Sequence, residues 1–116
     1  MLDDLDVMLV EDELLIAMDI SDNLSELGAR VVGPYATLGA ALAAEAQPDV
    51  AVLDVDLQGE RVFPLADRLA REGVPFMFHT GRADLAELRE RYGRDVRVVP
   101  KPCMPEEIAR TITDLV

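Results

Sequence analysis

Short apolar runs alternate with longer segments of helical periodicity along the whole chain. The longer segments carry apolar residues three or four positions apart, as at Ile16, Ile20 and Leu24, and this spacing predicts amphipathic helices. The short runs predict strands at residues 6–10, 29–32, 49–54, 74–79 and 96–99. Because strand and helix patterns alternate, an α/β fold is predicted, with a parallel sheet covered by helices on both faces.

Residues that start or stop helices set the predicted boundaries. Thr37 suits an N-cap, Pro64 and Pro105 suit the first turn of a helix, and Gly28 suits the position after a last turn. The predicted helices cover residues 13–27, 37–46, 64–72, 84–92 and 105–115.

Two short segments are expected to be irregular. Gly33-Pro34 is expected to end the second strand, and residues 58–60 are expected to form a loop after the third. The other connections are short, and no linker, repeat or low-complexity segment divides the chain. A single domain over residues 1–116 is therefore predicted.

The charge balance narrows the class of partner. The chain carries 11 basic and 23 acidic side chains, a formal net charge of −12. Such an acidic surface repels nucleic-acid backbones and anionic lipid heads, so neither nucleic acid nor a membrane is expected as a partner. The single cysteine, Cys103, excludes an internal disulfide, and the N-terminus does not resemble a signal peptide, which together indicate a cytoplasmic protein.

Polar residues gather at the predicted strand ends. Glu11 and Asp12 follow the first strand, Asp54 closes the third, Thr80 follows the fourth, and Lys101 comes after the fifth. In open parallel sheets, ligands bind at the carboxyl ends of the strands, where the strand order reverses. These residues are therefore predicted to meet at one edge of the sheet.

The residue types gathered there match the needs of phosphoryl transfer. Clustered carboxylates repel one another, and Mg²⁺ removes that repulsion while leaving room for water and a phosphoryl oxygen. A lysine and a threonine would add a positive charge and a hydrogen-bond donor, and Asp54 would be the nucleophile. Taken singly, each residue also has a structural explanation, such as a helix or turn cap for the acidic residues and a solvated surface position for Lys101.

These motifs resemble the receiver domains of response regulators in bacterial two-component pathways. The matching segments are Leu9–Glu13, Val52–Val55, His79–Gly81 and Val99–Pro102. The resemblance implies a flavodoxin-like, doubly wound fold with five parallel strands in the order 2-1-3-4-5. It also implies that a histidine kinase or histidine phosphotransfer protein phosphorylates Asp54, and that the domain signals by binding proteins rather than acting as a conventional enzyme.

The resemblance also implies a metal-binding role for each acidic residue. Asp12 and Asp54 would ligate Mg²⁺ directly, together with the backbone carbonyl of Asp56. Glu11 would hold a metal-bound water.

The remaining site residues would act on the phosphoryl group. By the same resemblance, Thr80 and Lys101 would bind its oxygens, and the peptide bond between Lys101 and Pro102 would be cis. Asp56 and Arg82 would flank the group, and a pair between them would shield it from water.

Residues 75–81 are similar to the motif of a subgroup nicknamed FAT GUY for its Phe-Ala-Thr-Gly sequence, mostly single-domain receivers of alphaproteobacteria. His79 stands where that motif has alanine, and Val98 stands where typical receivers carry an aromatic switch residue. With Val98 there, the loop 81–83 is expected to carry the switching movement. His79 could tune a pH response, but the simpler interpretation places it beneath the fourth helix. Cys103 could have a lowered thiol pKa, but a small apolar role is the simpler one.

Two other functions fit part of the pattern. Asp54 and Asp56 match the Asp-x-Asp motif of haloacid dehalogenase phosphatases, but those enzymes carry it on the first strand of a longer chain. A pseudo-receiver, which binds partners without being phosphorylated, would share the fold. The presence of the full set of site residues favours a phosphorylated receiver.

Overall fold

The computed structural model describes residues 1–81 and 85–116 of the chain. The helices in these residues are α1 (Leu14–Glu26), α2 (Leu38–Ala43), α3 (Phe63–Arg71), α4 (Leu85–Tyr92) and α5 (Pro105–Leu115). The strands are β1 (Asp6–Val10), β2 (Arg30–Tyr35), β3 (Val50–Leu53), β4 (Asp56–Leu57), β5 (Glu60–Arg61), β6 (Phe76–Thr80) and β7 (Arg97–Pro100). Each predicted helix and strand is therefore present, with ends that differ by a few residues. Within the described residues, no helix is long and apolar enough to cross a membrane.

The long strands form one parallel sheet in the order β2-β1-β3-β6-β7. Once the short β4 and β5 are set aside, this order is 2-1-3-4-5, and the predicted doubly wound fold is confirmed. Strand β1 pairs with β2 on one side and with β3 on the other. The strand order therefore reverses at β1 and β3, and their carboxyl ends form the crevice where such folds bind ligands.

One face of the sheet packs against α1 and α5. Val7 and Leu9 of β1 belong to a buried cluster with Leu24 of α1 and Ile108 of α5. Side chains alternate between the two faces of a strand, so Met8, which lies between Val7 and Leu9, points to the other face. Burial of this apolar area supplies much of the driving force for the packing of these two helices on the sheet.

The other face packs against α2, α3 and α4. Met8 and Val10 of β1 belong to a second buried cluster with Leu38 of α2, Leu65 of α3 and Leu88 of α4. A sheet covered on both faces explains why the central strands are apolar along nearly their whole length.

The sequence predicts that β2 ends at Gly33-Pro34, but the strand continues to Tyr35. The Gly33–Pro34 peptide bond is cis, and the pairing of β1 with β2 shifts register there before Val10 meets Tyr35. Because β2 is an edge strand, a proline without an N–H group is tolerated in it. Gly33 has a φ of +110°, and a Cβ there would lie 2.8 Å from the carbonyl oxygen of Leu9, so glycine is needed.

The expected loop over residues 58–60 is instead a small hairpin. Strands β4 and β5 pair antiparallel, with Asp56 opposite Arg61 and Leu57 opposite Glu60. Gln58 and Gly59, the two connecting residues, both have positive φ, which is characteristic of a tight two-residue hairpin turn. With only two residues in each strand, the periodicity of two is too short to see in the sequence.

Helix α2 is shorter than predicted, ending at Ala43 rather than near Ala46, because Ala44 has an extended backbone. The guanidinium of Arg68 in α3 donates a hydrogen bond of 2.9 Å to the carbonyl of Leu42, one of the last free carbonyls of α2. At the other end, the Thr37 hydroxyl accepts from the N–H of Ala40, so the predicted N-cap is confirmed.

Candidate functional site

The residues predicted at the strand ends meet in one cavity at the carboxyl edge of the sheet. The cavity has a volume of about 220 Å³ and is lined by Asp12, Glu13, Asp54, Asp56, Thr80, Gly81 and Lys101. Each of these residues lies at the end of a parallel strand or in the segment that directly follows one. The side chain of Glu11 is buried beside the cavity and contacts Lys101.

Lys101 is the positive centre of this arrangement. Its ammonium lies 3.1 Å from Asp54 Oδ2, 2.8 Å from Glu11 Oε1 and 3.4 Å from Glu13 Oε1. Burial lowers the pKa of Lys101, but its hydrogen bonds to Glu11 and Asp54 outweigh burial and hold that pKa above its usual value. Lys101 is therefore charged at neutral pH. Glu13, exposed at the start of α1, was not among the predicted site residues.

Glu11 is held from one side by two donors. Its Oε2 accepts a hydrogen bond of 3.1 Å from the ammonium of Lys101 and another of 3.1 Å from the N–H of Glu13. Its Oε1, although 2.8 Å from the ammonium, is an ion-pair contact without a hydrogen bond. The side chain of Glu11 is 1% exposed, so its charge depends almost entirely on these protein groups.

Asp12 and Asp56 lie toward the solvent side of the cavity. Asp12 Oδ2 accepts from the N–H of Gln58 at 3.2 Å, which ties the first strand's loop to the β4–β5 hairpin. The carboxylate of Asp56 lies 3.5 Å from the guanidinium of Arg61. The predicted partner of Asp56, Arg82, lies outside the described residues.

Three carboxylates are close enough to share a cation. Glu11, Asp12 and Asp54 each offer an oxygen atom, and these atoms lie within 4.8 Å of one another. If all three are ionised, Lys101 neutralises one of their three charges and two remain. An all-oxygen donor set with two excess negative charges fits a hard divalent cation such as Mg²⁺.

Asp54 is 5% exposed, and both its burial and the excess negative charge around it disfavour its ionised form. Burial, followed by the negative charge of Glu11, raises the pKa of Asp54 to about 7, against the opposing effect of Lys101. A cation bound at the cluster would favour the ionised form of this carboxyl and so reverse the shift.

Thr80 ends β6 and is buried at the wall of the cavity. Its carbonyl accepts a hydrogen bond of 3.0 Å from the N–H of Lys101, which continues the pairing of β6 with β7 to the cavity itself. The Lys101–Pro102 peptide bond is cis, the conformation that the sequence resemblance implies. Val98, the predicted switch position, is half-buried against the cluster that includes α4.

His79 does not pack beneath α4, and the simpler interpretation of this residue is wrong. Phe78 faces the cluster that contains Leu88 of α4, and alternation along β6 turns His79 to the opposite face. There its Nε2 lies 3.3 Å from the sulfur of Cys103, and its Nδ1 lies 3.8 Å from Glu11 Oε1. Burial, with a smaller effect from Lys101, lowers the pKa of His79 to about 4, so the contact with Glu11 is not an ion pair at neutral pH.

Cys103 packs against the buried cluster of α1 and α5, as the apolar interpretation predicts. Burial, and then the nearby Glu107, raises the pKa of its thiol. The alternative of a lowered thiol pKa is therefore wrong.

The fold and the site together define a class of protein, a doubly wound α/β domain with an acidic pocket and a largely buried lysine at the carboxyl edge of its sheet. Comparisons with models of protein families and with curated protein sequences give no match. Solved structures do match. SdrG from Sphingomonas melonis Fr1 superposes with a TM-score of 0.80 at 37% identity, over 97% of this chain and 96% of SdrG.

Two further solved structures are similar to this chain. The response regulator PhyR from Brucella abortus has a TM-score of 0.78 at 28% identity, over 97% of this chain and 47% of PhyR. The BeF3-activated receiver domain of DrrB has a TM-score of 0.81 at 23% identity over 97% of both chains, a similarity of fold alone. The chain spans 51% of the longer DrrB structure, a response regulator of Thermotoga maritima.

The chain belongs to the receiver-domain family of response regulators. This family consists of signalling domains rather than conventional enzymes.

Proposed function

We propose that this domain is phosphorylated on Asp54 by a histidine kinase or a histidine phosphotransfer protein, and that it signals in the cytoplasm by binding another protein. The observation that carries the proposal is the buried Asp54 carboxylate with the Lys101 ammonium 3.1 Å away, beside an acidic cluster that needs a cation. This combination provides a nucleophile, a positive charge for phosphoryl oxygens and a cation site in one cavity.

In this proposal Mg²⁺ is held by the carboxylates of Asp12 and Asp54 and by the backbone carbonyl of Asp56. Glu11 accepts a hydrogen bond from a water molecule bound to the ion. The ion, when bound, neutralises charge on the carboxylates and on the phosphoryl group. Asp12 and Asp54 offer ligand oxygens that are already close together. Asp56 is the first residue of the β4–β5 hairpin and lines the cavity.

The chemical step is a transfer between two residues. One carboxylate oxygen of Asp54 forms a bond to phosphorus, and the bond from phosphorus to the imidazole nitrogen of the donor histidine breaks. The donor imidazole leaves and takes up a proton from solvent. Thr80 and Lys101 receive the charged oxygens of the transferred group.

The surroundings of the cavity support a protein as the phosphoryl donor. Large apolar side chains are exposed where α1 and α5 begin, which is the edge of the sheet that holds the cavity: Leu14 and Leu15 are 69% and 77% exposed, and Met104 is 63% exposed. Exposed apolar groups beside a polar site are characteristic of protein-binding surfaces.

The finer assignments belong to the same proposal. The motif at residues 75–81 supports membership of the FAT GUY subgroup. Members of this subgroup lack the aromatic switch residue of typical receivers, and this chain has Val98 at that position. With a small residue there, we assign the switching movement to the loop after β6, in which Arg82 would pair with Asp56. Asp56 already has Arg61 as a neighbour, so Arg82 would have to compete for it.

The experiment is phosphorylation by acetyl phosphate in the presence of Mg²⁺, followed by intact-mass spectrometry. The parent protein should gain one phosphoryl group, and Asp54→Asn should gain none. Asp49→Asn is the matched control, because Asp49 directly precedes β3, at the opposite end from Asp54, and its side chain accepts a hydrogen bond from the N–H of Asp6.

Two results would overturn the proposal. Phosphorylation of Asp54→Asn to the same extent as the parent would place the modification elsewhere. A parent protein that takes up neither phosphate nor beryllium fluoride would be a pseudo-receiver, which binds its partners unmodified.

A further inference from the structure

Two buried polar atoms without hydrogen-bond partners face each other behind the cavity. Among the described residues, Glu11 Oε1 and His79 Nδ1 both lack a hydrogen-bond partner, and they lie 3.8 Å apart. The side chains are 1% and 4% exposed. Glu11 Oε1 has the Lys101 ammonium 2.8 Å away as an ion-pair partner, whereas His79 Nδ1 has no such contact. A buried polar atom that is left unpaired is costly, so the proximity of His79 Nδ1 to Glu11 Oε1 indicates a hydrogen bond that a small movement completes.

The position of the proton on His79 follows from its neighbours. A neutral imidazole carries one N–H group, and its other nitrogen accepts. If Nε2 carried the proton, Nδ1 would present a lone pair to the carboxylate of Glu11, an unfavourable pairing of two acceptors at low dielectric. If Nδ1 carries it, Nε2 can accept from the thiol of Cys103 at 3.3 Å and Nδ1–H points to Glu11.

We infer that His79 is a positioning residue, which donates from Nδ1–H to Glu11 Oε1 and so holds the Glu11 carboxylate in place beside the cation site. The inference rests on the proposed function for the role of the cation. The distance of 3.8 Å must shorten by about 1 Å to reach hydrogen-bond length. Glu11 would then be held on Oε1 by His79 and by the ion pair with Lys101, and on Oε2 by Lys101 and the Glu13 N–H.

His79 lies in the middle of a chain of polar contacts that reaches the cavity. The connection runs from Cys103, which begins the segment before α5, through His79 to Glu11, and from there to Lys101 and Asp54. Residues that hydrogen-bond a direct metal ligand commonly change metal affinity by 10- to 100-fold when they are replaced. Because Glu11 holds a metal-bound water in the proposed function, His79 is one contact further from the ion, and we expect the lower end of this range. His79 is placed to have an effect of that kind without touching the ion.

The proton position can be read directly, because His79 is the only histidine of the chain. Protein labelled with ¹⁵N-histidine gives a single imidazole spin system, in which the protonated and unprotonated ring nitrogens have well-separated chemical shifts. In the metal-free protein at neutral pH, we expect Nδ1 to be protonated and Nε2 to be unprotonated. The opposite tautomer would overturn the inference, whatever the metal binding shows.

The positioning role is tested by Mg²⁺ titration of three proteins. Replacement of the imidazole by an apolar group in His79→Leu should weaken Mg²⁺ binding by about tenfold. His79→Asn keeps an N–H donor near the Nδ1 position and should restore the affinity to within about threefold of the parent. Circular dichroism on each variant confirms that the fold is retained, and if His79→Leu does not fold, the tautomer measurement still decides the inference.

A pair of variants at Cys103 completes the design. Cys103→Ser retains a donor to Nε2 and should preserve the tautomer, whereas Cys103→Ala removes that donor and should reduce the tautomer preference. If both His79 variants bind Mg²⁺ like the parent, the positioning role is wrong. If the parent itself binds no Mg²⁺, the proposed function fails and the positioning role with it, while the tautomer measurement still reports on the hydrogen bond to Glu11.

Discussion

The Lys101 ammonium lies 3.1 Å from Asp54 Oδ2, although 47 positions separate the two residues in the sequence. Both side chains are largely buried, at 11% and 6% exposure, so water screens their interaction little. The Lys101 ammonium also forms an ion pair with Glu11, so one positive charge is shared between two buried carboxylates. The site is therefore short of positive charge until a cation or a change in protonation corrects it.

This shortage predicts that Asp54→Asn stabilises the metal-free protein. The folded state raises the pKa of Asp54 from 3.8 to about 7, so the ionised carboxyl is disfavoured by folding. The difference corresponds to at most about 4 kcal/mol, and loss of the bond to Lys101 offsets part of it, so we expect a gain of about 1–3 kcal/mol. Urea unfolding in the presence of a chelator measures it.

The pH dependence of this gain has a definite sign. The penalty develops as pH rises from about 4 through about 7, because the carboxyl then ionises in the unfolded chain before it ionises in the folded one. The stabilisation by Asp54→Asn should therefore be complete above pH 7 and vanish toward pH 4. A gain that is equal at both ends of this range would contradict the electrostatic explanation.

Magnesium should raise the stability of the parent protein and leave Asp54→Asn much less affected. Binding to the folded state alone adds about 1.4 kcal/mol when the ion is at ten times its dissociation constant. For a domain of 116 residues this corresponds to a rise in Tm of about 4–6 °C. Differential scanning calorimetry with and without Mg²⁺ measures it, and equal shifts in the two proteins would place the ion elsewhere.

Arg61 connects the hairpin beside the cavity to α4, and the connection should be measurable. Its guanidinium lies 2.7 Å from Glu87 Oε1 and 3.5 Å from Asp56 Oδ1. Because these groups are a third to a half exposed, the Arg61–Glu87 coupling in a double-mutant cycle should be only about 0.2–1 kcal/mol. Arg61→Gln should nevertheless speed hydrogen exchange in α4 more than in α5. Equal exchange in both helices would show that the contact does not hold α4.

Tyr92 of α4 makes contacts through both its ring and its hydroxyl, and we expect the ring to contribute more to stability. The ring lies 5.3 Å from Phe76 and 5.5 Å from Phe78 between centroids, and the hydroxyl donates to Asp67 at 2.8 Å. Tyr92→Phe should cost about 0.5–1.5 kcal/mol, and Tyr92→Ala about 2–4 kcal/mol. Similar losses in the two variants, measured by chemical unfolding, would instead assign the stability to the hydroxyl.

The element order and the strand-end chemistry could be read from local patterns. Residues 49–54 form an apolar run that ends in an aspartate, and this suffices to predict a buried strand that delivers Asp54 to the sheet edge. The last helix, from Pro105 to Leu115, has the predicted bounds because proline and two glutamates mark its first turn. Such signals lie within one element and do not depend on the rest of the fold.

Other features depend on contacts between elements and were not predictable. The end of α2 is set in part by Arg68 of a different helix. The face on which His79 lies is set by the register of β6 against its neighbours, since a shift of one residue would turn it to α4. Glu13 and Arg61 were not predicted, because only the folded structure places Glu13 near Lys101 and Arg61 near Asp56.

The amino-acid pattern alone determined that strands and helices alternate, that the sheet is parallel and covered on both faces, and which carboxylates, hydroxyl and ammonium stand at the strand ends. Only the tertiary structure decided that Lys101 is shared between Asp54 and Glu11, and that His79 faces Glu11 rather than α4. The reason is physical: periodicity reports which side of an element is buried, whereas hydrogen-bond partners and charge pairing depend on the packing of segments far apart in the chain.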